Sequence, residues 1–164
     1  MRLGVFADVS NLYFCTSKKF RAKLNYRSYL EFIKTLGTVT KAYAYGAQFR
    51  HEADNFIHSL QNAGFETRYK TPKIFGDQQR KADWDVGIAV DMIDAAINRV
   101  VDTIILGTGD GDLTPAVTWI MRTYHIPTIV VACGISKDLK QAASEWIEIY
   151  PKLLEPRNET PDPN

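Results

Sequence analysis

Residues 103–112 read TIILGTGDGD, a short apolar run followed at once by a loop rich in glycine and aspartate. A similar arrangement occurs near the start of the chain, where the apolar residues 3–7 lead into Asp8. Apolar runs of this length are typical of strands buried in a parallel sheet. Acids that follow such strands lie where an open α/β sheet binds its ligands. The two stretches therefore predict a parallel sheet with an acidic site at one edge.

Apolar runs alternate with segments of helical periodicity along most of the chain. The predicted strands are Leu3–Ala7, Lys41–Tyr45, Glu66–Lys70, Thr103–Leu106, Thr128–Val131 and Trp146–Ile149. The predicted helices are a short one after Asp8, then Tyr26–Leu36, His51–Ala63, Trp84–Asn98, Leu113–Tyr124 and Lys137–Ala143. This alternation predicts an α/β fold, with a mostly parallel central sheet flanked by helices. We expect one domain over residues 1–152 and a disordered, proline-rich tail over residues 153–164.

The composition excludes several classes of protein. The 164 residues carry a net charge of +1, so any contact with nucleic acid requires a local basic patch. Cys15 and Cys133 are too few for a disulfide framework or a zinc site, and we expect both to be reduced. No signal peptide and no apolar stretch of bilayer length is evident. These features predict a cytoplasmic protein with no membrane partner.

Asp8 has two interpretations. In the run Phe6-Ala7-Asp8-Val9-Ser10-Asn11, either Asp8 or Ser10 suits the N-cap of the following helix. Asp8 is also placed to hold a metal ion at the strand end. Asn11 favours the second interpretation, because its amide is suited to orienting a carboxylate or a metal-bound water.

Asp85 can be placed on a helical wheel that advances about 100° per residue. Apolar residues flank it on both sides: Val86, Ala89, Val90, Ile93, Ala96 and Ile97 on one side, and Ile88, Met92 and Ala95 on the other. Asp91 and Asp94 fall on the polar face, which is typical of solvated acids. An acid centred on a buried face is costly unless it is paired, capping or metal-bound. The pattern favours a site role for Asp85, with helix capping, for which Asp83 competes, as the alternative.

The loop Gly107-Thr108-Gly109-Asp110-Gly111-Asp112 is the strongest local signal. Glycines on both sides of Asp110 allow a sharp turn and a close approach to a ligand. Asp112 suits the cap of the helix that begins at Leu113, which leaves Asp110 for chemistry. Thr108 is a further candidate for binding a phosphate or a metal-bound water.

Two basic stretches border the acids and carry the predicted nucleic-acid contacts. They comprise Lys18, Lys19, Arg21 and Lys23 in the first, and Arg68, Lys70, Lys73, Arg80 and Lys81 in the second. Cations interleaved with aromatic rings suit a single-stranded nucleic acid, whose phosphates meet the charge while its bases stack on the rings. An ordinary solvated charged face is the alternative.

Three landmarks together resemble the NYN domains of the PIN-like nuclease superfamily, in particular the LabA-like group. They are residues 6–11, the stretch from Lys81 through Asp85 to Asp91, and residues 109–112. The resemblance covers residues 3–150 and implies a PIN-like α/β sandwich. It also implies an acid cluster that binds Mg²⁺ or Mn²⁺ and hydrolyses RNA phosphodiester bonds. The two basic stretches favour single-stranded RNA as the partner. By position, Asp8, Asp85 and Asp110 would be the metal ligands, with Asp112 as a further catalytic acid and Asn11, Asp91 and Thr108 as secondary candidates.

Other functions compete with the ribonuclease. A phosphatase resembling the haloacid dehalogenase group would have a second aspartate two residues after the first, where Ser10 stands here. A non-catalytic RNA-binding or regulatory protein would keep the same fold. Small PIN-like domains often pair, so the resemblance also admits a homodimer.

Overall fold

The computed structural model describes residues 1–47, 53–70, 74–75, 78–79 and 84–156. The strands in these ranges are β1 (Arg2–Asp8), β2 (Thr38–Ala47), β3 (Glu66–Lys70), β4 (Ile74–Phe75), β5 (Gln78–Gln79), β6 (Thr103–Gly107), β7 (Thr128–Ala132) and β8 (Glu145–Glu148). The helices are α1 (Val9–Phe20), α2 (Tyr26–Lys34), α3 (Ala53–Ala63), α4 (Asp85–Ile97), α5 (Thr114–Tyr124) and α6 (Lys137–Ala142). Each predicted strand and helix has its counterpart, although residues 51 and 52 of the third predicted helix lie outside the described ranges.

Six strands form one sheet in the order β3-β2-β1-β6-β7-β8, and β4 and β5 form a separate antiparallel pair. All neighbours within the large sheet are parallel. Helices flank this sheet, which confirms the predicted α/β three-layer fold with a parallel central sheet. The chain adds strands in one direction from β1 to β3 and in the other from β6 to β8. The strand order therefore reverses between β1 and β6, which is where sheets of this kind bind ligands.

The central strands are apolar because both of their faces are covered. Residues 3–7 of β1 and all of β6 are buried. In the register between them, Phe6 lies opposite Leu106 and Ala7 opposite Gly107. The two strands consequently end side by side, and the loops that leave them start from the same point of the sheet edge.

Helix α4 differs from the wheel-based prediction. Its core face consists of Ile88, Met92, Ala95 and Ala96. The predicted apolar arc is only partly buried, since Val86 is 78% exposed, Val90 57% and Ile97 52%. Asp91, which the wheel places on the solvated polar face, differs as well, since its side chain is only 21% exposed.

The described chain continues as packed structure beyond residue 152. Leu153 is 3% exposed, and Leu154 pairs with Leu24 in an isolated bridge. The amide of Glu155 donates to the carbonyl of Lys23 at 2.8 Å. Residues 153–155, assigned from the sequence to the tail, therefore pack against the domain. Residues 157–164 of that tail lie outside the described ranges.

Both cysteines are free thiols, with Cys133 buried and Cys15 half-buried. Within the described residues, no helix is both long and apolar enough to cross a bilayer.

Candidate metal centre

Three carboxylates meet at the sheet edge where β1 and β6 diverge. Asp85, Asp110 and Asp112 each offer an oxygen, and these oxygens lie within 4.8 Å of one another. Asp85 is the first residue of α4, whereas Asp110 and Asp112 belong to the loop after β6. Asp85 and Asp110 are half-buried, and Asp112 is exposed. The tertiary fold thus brings together two acids of one loop and one acid from a helix that precedes β6.

This arrangement suits a divalent cation. Carboxylate oxygens are the ligands that Mg²⁺ and Mn²⁺ prefer. Clustered carboxylates raise one another's energy unless a cation or a proton intervenes. Within the described ranges, neither Asp110 nor Asp112 forms an ion pair with a basic side chain. Their negative charge is therefore not balanced by those side chains.

The acids that converge are not identical with the ligand set that the resemblance implies, and the place of Asp8 in that set stays a prediction. Asp8, predicted as a metal ligand, is not among the three acids whose oxygens come within 4.8 Å. Its side chain caps α1, accepting a hydrogen bond from the amide of Asn11 at 3.1 Å. Of the two capping residues considered for this helix, Asp8 takes the role and Ser10 is an exposed residue of the first turn. Asp8 still ends β1 beside the loop after β6, so it borders the site.

The capping role within the loop falls to Asp110 and not, as predicted, to Asp112. Asp110 caps the single 3₁₀ turn Gly111–Leu113, because one of its oxygens accepts from the amide of Asp112 at 3.0 Å. Asp112 caps neither this turn nor α5, whose N-cap position is Leu113 and has no side-chain cap. Asp110 therefore has a structural task in addition to its place in the cluster. Asp112, expected to be shared with capping, is the acid without that task.

The loop owes its path to a close packing of backbone on backbone. A Cβ added to Gly109 would lie 2.7 Å from the carbonyl oxygen of Gly134 and 2.9 Å from that of Cys133. Only glycine permits this approach. The amide of Ser136 also donates to the carbonyl of Gly109 at 3.0 Å. The loop after β7 thus packs against the loop that carries Asp110, and no sequence pattern indicated this contact.

Asn11 and Thr108 position this loop. The amide of Gly109 donates to Asn11 Oδ1 at 3.0 Å, which ties α1 to the loop across 98 residues of sequence. Thr108 is fully buried, and its Oγ1 accepts from the amide of Asp110 at 3.2 Å. The sequence predicts that Asn11 orients a carboxylate or a metal-bound water, and that Thr108 binds a phosphate or a metal-bound water. In the structure they hold the backbone on either side of Gly109.

Asp91 belongs to a hydrogen-bonded network with Tyr45 and Arg68. Tyr45 donates to Asp91 Oδ2 at 2.7 Å, and Arg68 forms an ion pair with the same oxygen. Burial, followed by the hydrogen bond to Asp91, raises the pKa of the Tyr45 hydroxyl, which keeps it a donor. The interpretation of Asp91 as a solvated acid is therefore wrong. Sequence reasoning missed Tyr45, because a tyrosine in an apolar strand reads as core.

The same network fixes the start of α4. The ring of Tyr45 packs against that of Trp84 with centroids 5.4 Å apart, and Trp84 Nε1 donates to the carbonyl of Gly46 at 2.7 Å. Trp84 occupies the N-cap position of α4 without a side-chain cap. The start of α4 at Asp85 is therefore fixed by the contacts of Trp84, and the side chain of Trp84 does not cap the helix there. Asp83, considered for that role, lies outside the described ranges.

The basic residues predicted to contact nucleic acid differ in their exposure and in their pairing with other side chains. Lys18, Arg21 and Lys23 are exposed, while Lys19 pairs with Glu148 at 3.1 Å. Arg68 stacks over the ring of Tyr43 at 4.3 Å in addition to its pairing with Asp91. The backbone of Lys70 ends β3. Lys73, Arg80 and Lys81 lie outside the described ranges.

Comparison with known proteins identifies relatives over nearly the whole chain. The NYN domain family matches residues 2–151. A crystal structure of a protein of unknown function from Vibrio parahaemolyticus is 29% identical with a TM-score of 0.85, and the match covers 94% of this chain and 96% of that one. MurG from Acinetobacter baumannii is 14% identical with a TM-score of 0.47, over 96% of this chain and 44% of that one, and this likeness carries no argument. No protein with a curated description matches. The narrower LabA-like assignment stays a prediction.

Proposed function

Because the chain belongs to the NYN domain family, which matches residues 2–151, we propose that it is a metal-dependent ribonuclease acting on phosphodiester bonds. NYN domains belong to a nuclease superfamily, and its nucleases generally use divalent metals. The observation that carries the proposal is the convergence of Asp85, Asp110 and Asp112 within 4.8 Å at the point where the strand order reverses. The proposed substrate is single-stranded RNA.

The three acids fit a cation of this kind. Asp85, Asp110 and Asp112 would hold Mg²⁺ or Mn²⁺ through carboxylate oxygens, the donors that both ions accept. When bound, such an ion neutralises charge on the scissile phosphate and lowers the pKa of a water molecule. Without it, the carboxylates of Asp110 and Asp112 would repel the phosphate.

The chain's own groups prepare the site in two ways. Because Asp110 Oδ1 accepts from the amide of Asp112, the carboxylate plane of Asp110 is fixed before any ligand arrives. Asp112 is exposed and caps neither the turn nor α5, so we infer that one of its carboxylate oxygens would hold the metal while the other orients a water molecule and accepts its proton. The expected products carry a 5′-phosphate and a 3′-hydroxyl.

The test is cleavage of labelled single-stranded RNA by the purified chain with Mg²⁺, with Mn²⁺ and with a chelator. We expect cleavage that requires the metal and is abolished in Asp110→Asn. Asparagine keeps the oxygen that accepts from the amide of Asp112, so the turn should persist while the charge is lost. Asp94→Asn is the matched control, since Asp94 is an exposed acid of α4 that bonds Asn98 instead of the cluster.

Metal binding is measured separately from turnover. Titration of Mn²⁺ followed by the loss of its free electron paramagnetic resonance signal should show a site in the wild type and in Asp94→Asn, and a weaker one in Asp85→Asn. Full activity of Asp110→Asn would overturn the assignment. RNA binding without cleavage would select the regulatory alternative, and activity confined to small phosphate monoesters would select the phosphatase.

A further inference from the structure

Helix α1 presents two neighbouring aromatic rings to solvent. Tyr13 is 52% exposed and Phe14 is 61% exposed, although α1 buries Val9, Leu12 and Thr16 on its other side. Exposed rings in adjacent positions are more typical of a binding surface than of a solvated helix face. We define the α1 face as the residues on this outward side, namely Ser10, Tyr13, Phe14, Ser17, Lys18 and Arg21.

The α1 face borders the carboxylate cluster. Asn11 Oδ1 accepts from the amide of Gly109, the residue before Asp110. Phe14 lies three residues after Asn11, so the two side chains are neighbours on the same side of the helix. The helix begins directly after Asp8, and Tyr13 follows Val9 by about 6 Å along its axis. The rings are therefore about one turn from the edge of the site.

Cations continue the same face away from the acids. Lys18 follows Phe14 by one turn, with its Nζ 6.0 Å from the centroid of the Phe14 ring. Arg21 is exposed at the end of the helix, in the left-handed C-cap position. Lys19 points elsewhere, since it pairs with Glu148 and stands over the ring of Phe20. The charge on this face is thus positive, opposite to that of the cluster.

We propose that the α1 face is a subsite for single-stranded RNA, in which Tyr13 and Phe14 stack on bases while Lys18 and Arg21 meet the phosphates. This inference rests on the proposed function, because the subsite would lead a strand to the scissile position beside Asp110. Phosphate charge complements the two cations, and every base offers a face to an exposed ring. Recognition by stacking makes the subsite tolerant of sequence. Phe20, interleaved with the lysines, is half-buried and is not one of the stacking rings.

The experiment compares two strands in the full-length chain carrying Asp110→Asn, with Mg²⁺ present. The probes are fluorescein-labelled octauridylate and an abasic strand of the same length, which keeps the phosphates and lacks the bases. Affinity is measured by fluorescence anisotropy for Tyr13→Ala and Phe14→Ala. Trp146→Ala is the matched control, because Trp146 is 45% exposed and has Lys140 4.1 Å from its ring centroid, but lies on the edge strand β8.

We expect each alanine on the α1 face to weaken binding of octauridylate by roughly 5- to 100-fold. Binding of the abasic strand should be unchanged by these substitutions, and Trp146→Ala should bind both strands as its parent does. Unchanged affinity for octauridylate would overturn the subsite. An equal loss for both strands would also overturn it, since that result would show an effect on charge or folding rather than on stacking.

Failure of the subsite and failure of the proposed function give different results. If the chain with native Asp110 cleaves RNA while Tyr13→Ala and Phe14→Ala bind as their parent does, only the subsite is lost. If the chain does not cleave RNA but binding depends on both rings and on the bases, the subsite stands and the catalytic proposal falls. If octauridylate is not bound at all, the subsite is overturned, and the α1 face should then be tested for binding to another protein.

Discussion

Replacement of Gly109 by alanine tests whether the packing of two loops holds the carboxylate cluster in place. The new Cβ would lie 2.7 Å from the carbonyl oxygen of Gly134 and 2.9 Å from that of Cys133. Both neighbours are backbone atoms, so no side-chain rotation relieves the contact. The loop must shift, and Asp110 shifts with it.

The cost can be estimated from the contacts. Overpacking of this kind costs about 2 kcal/mol. Displacement of Gly109 also weakens its amide bond to Asn11 and its carbonyl bond from Ser136, for about 1 kcal/mol in net terms. Alanine also lowers the conformational entropy of the unfolded chain, which stabilises the folded state by about 0.5 kcal/mol. We therefore expect Gly109→Ala to lower the free energy of unfolding by about 2–3 kcal/mol.

Gly111→Ala is the matched control two residues away. Its Cβ would meet Ser136 Oγ at 3.0 Å, a side-chain atom that needs to move by only a few tenths of an ångström and can do so while still accepting from the amide of Leu139. We expect a loss below about 1 kcal/mol, as for a substitution whose contact can relax. Urea unfolding followed by circular dichroism measures both variants. Mn²⁺ titration should show affinity about 10- to 100-fold weaker for Gly109→Ala, the range typical when support of a ligand is lost. Equal stability and equal metal affinity of the two variants would refute the reasoning.

Three further results are expected. Tyr45→Phe removes the hydrogen bond to Asp91 and should cost about 1–2 kcal/mol in urea unfolding, whereas a wild-type midpoint would show that the bond adds nothing. The hydrogen bonds that Arg2 donates lower the pKa of Asp102 from 3.8 to about 2, so this carboxylate stabilises the fold above pH 4 and loses that effect as the pH falls toward 2. Asp102→Asn should therefore lose less stability than the wild type between pH 4 and pH 2, and an identical loss in the two proteins would contradict the assignment. Mn²⁺ at about 100 times its Kd should raise the wild-type Tm by roughly 5–10 °C in a thermal melt, and the same rise in Asp85→Asn would exclude Asp85 as a ligand.

Much of the fold followed from local patterns. The apolar run before Asp8 and the run before Gly107 are strands because both of their faces are covered, which leaves no place for polar residues. Asp8 and the two acids of the loop after β6 were found for the same reason, since they follow these apolar runs, whereas Asp85 was inferred from the helical wheel. Helix α4 was harder, because a wheel shows which residues share a face but not whether another element covers it. Val86 and Val90 are apolar and exposed, and the wheel does not distinguish them from the core.

The site itself required contacts between distant parts of the chain. Asn11 and Gly109 are far apart in sequence, and their hydrogen bond exists only because β1 and β6 are neighbours in the sheet. The membership of the carboxylate cluster has the same origin. Asp8 caps its own helix, a local interaction, whereas Asp112 joins the cluster because α4 returns to the sheet edge beside it.

The sequence by itself determined a parallel α/β sheet with acids and glycines at the ends of its central strands, because periodicity, turns and caps involve residues close together along the chain. Only the tertiary structure decided which acids converge and which residues support them. That outcome depends on strand order and on backbone packing, as where Gly109 meets Gly134, and neither leaves a pattern in a short stretch of sequence.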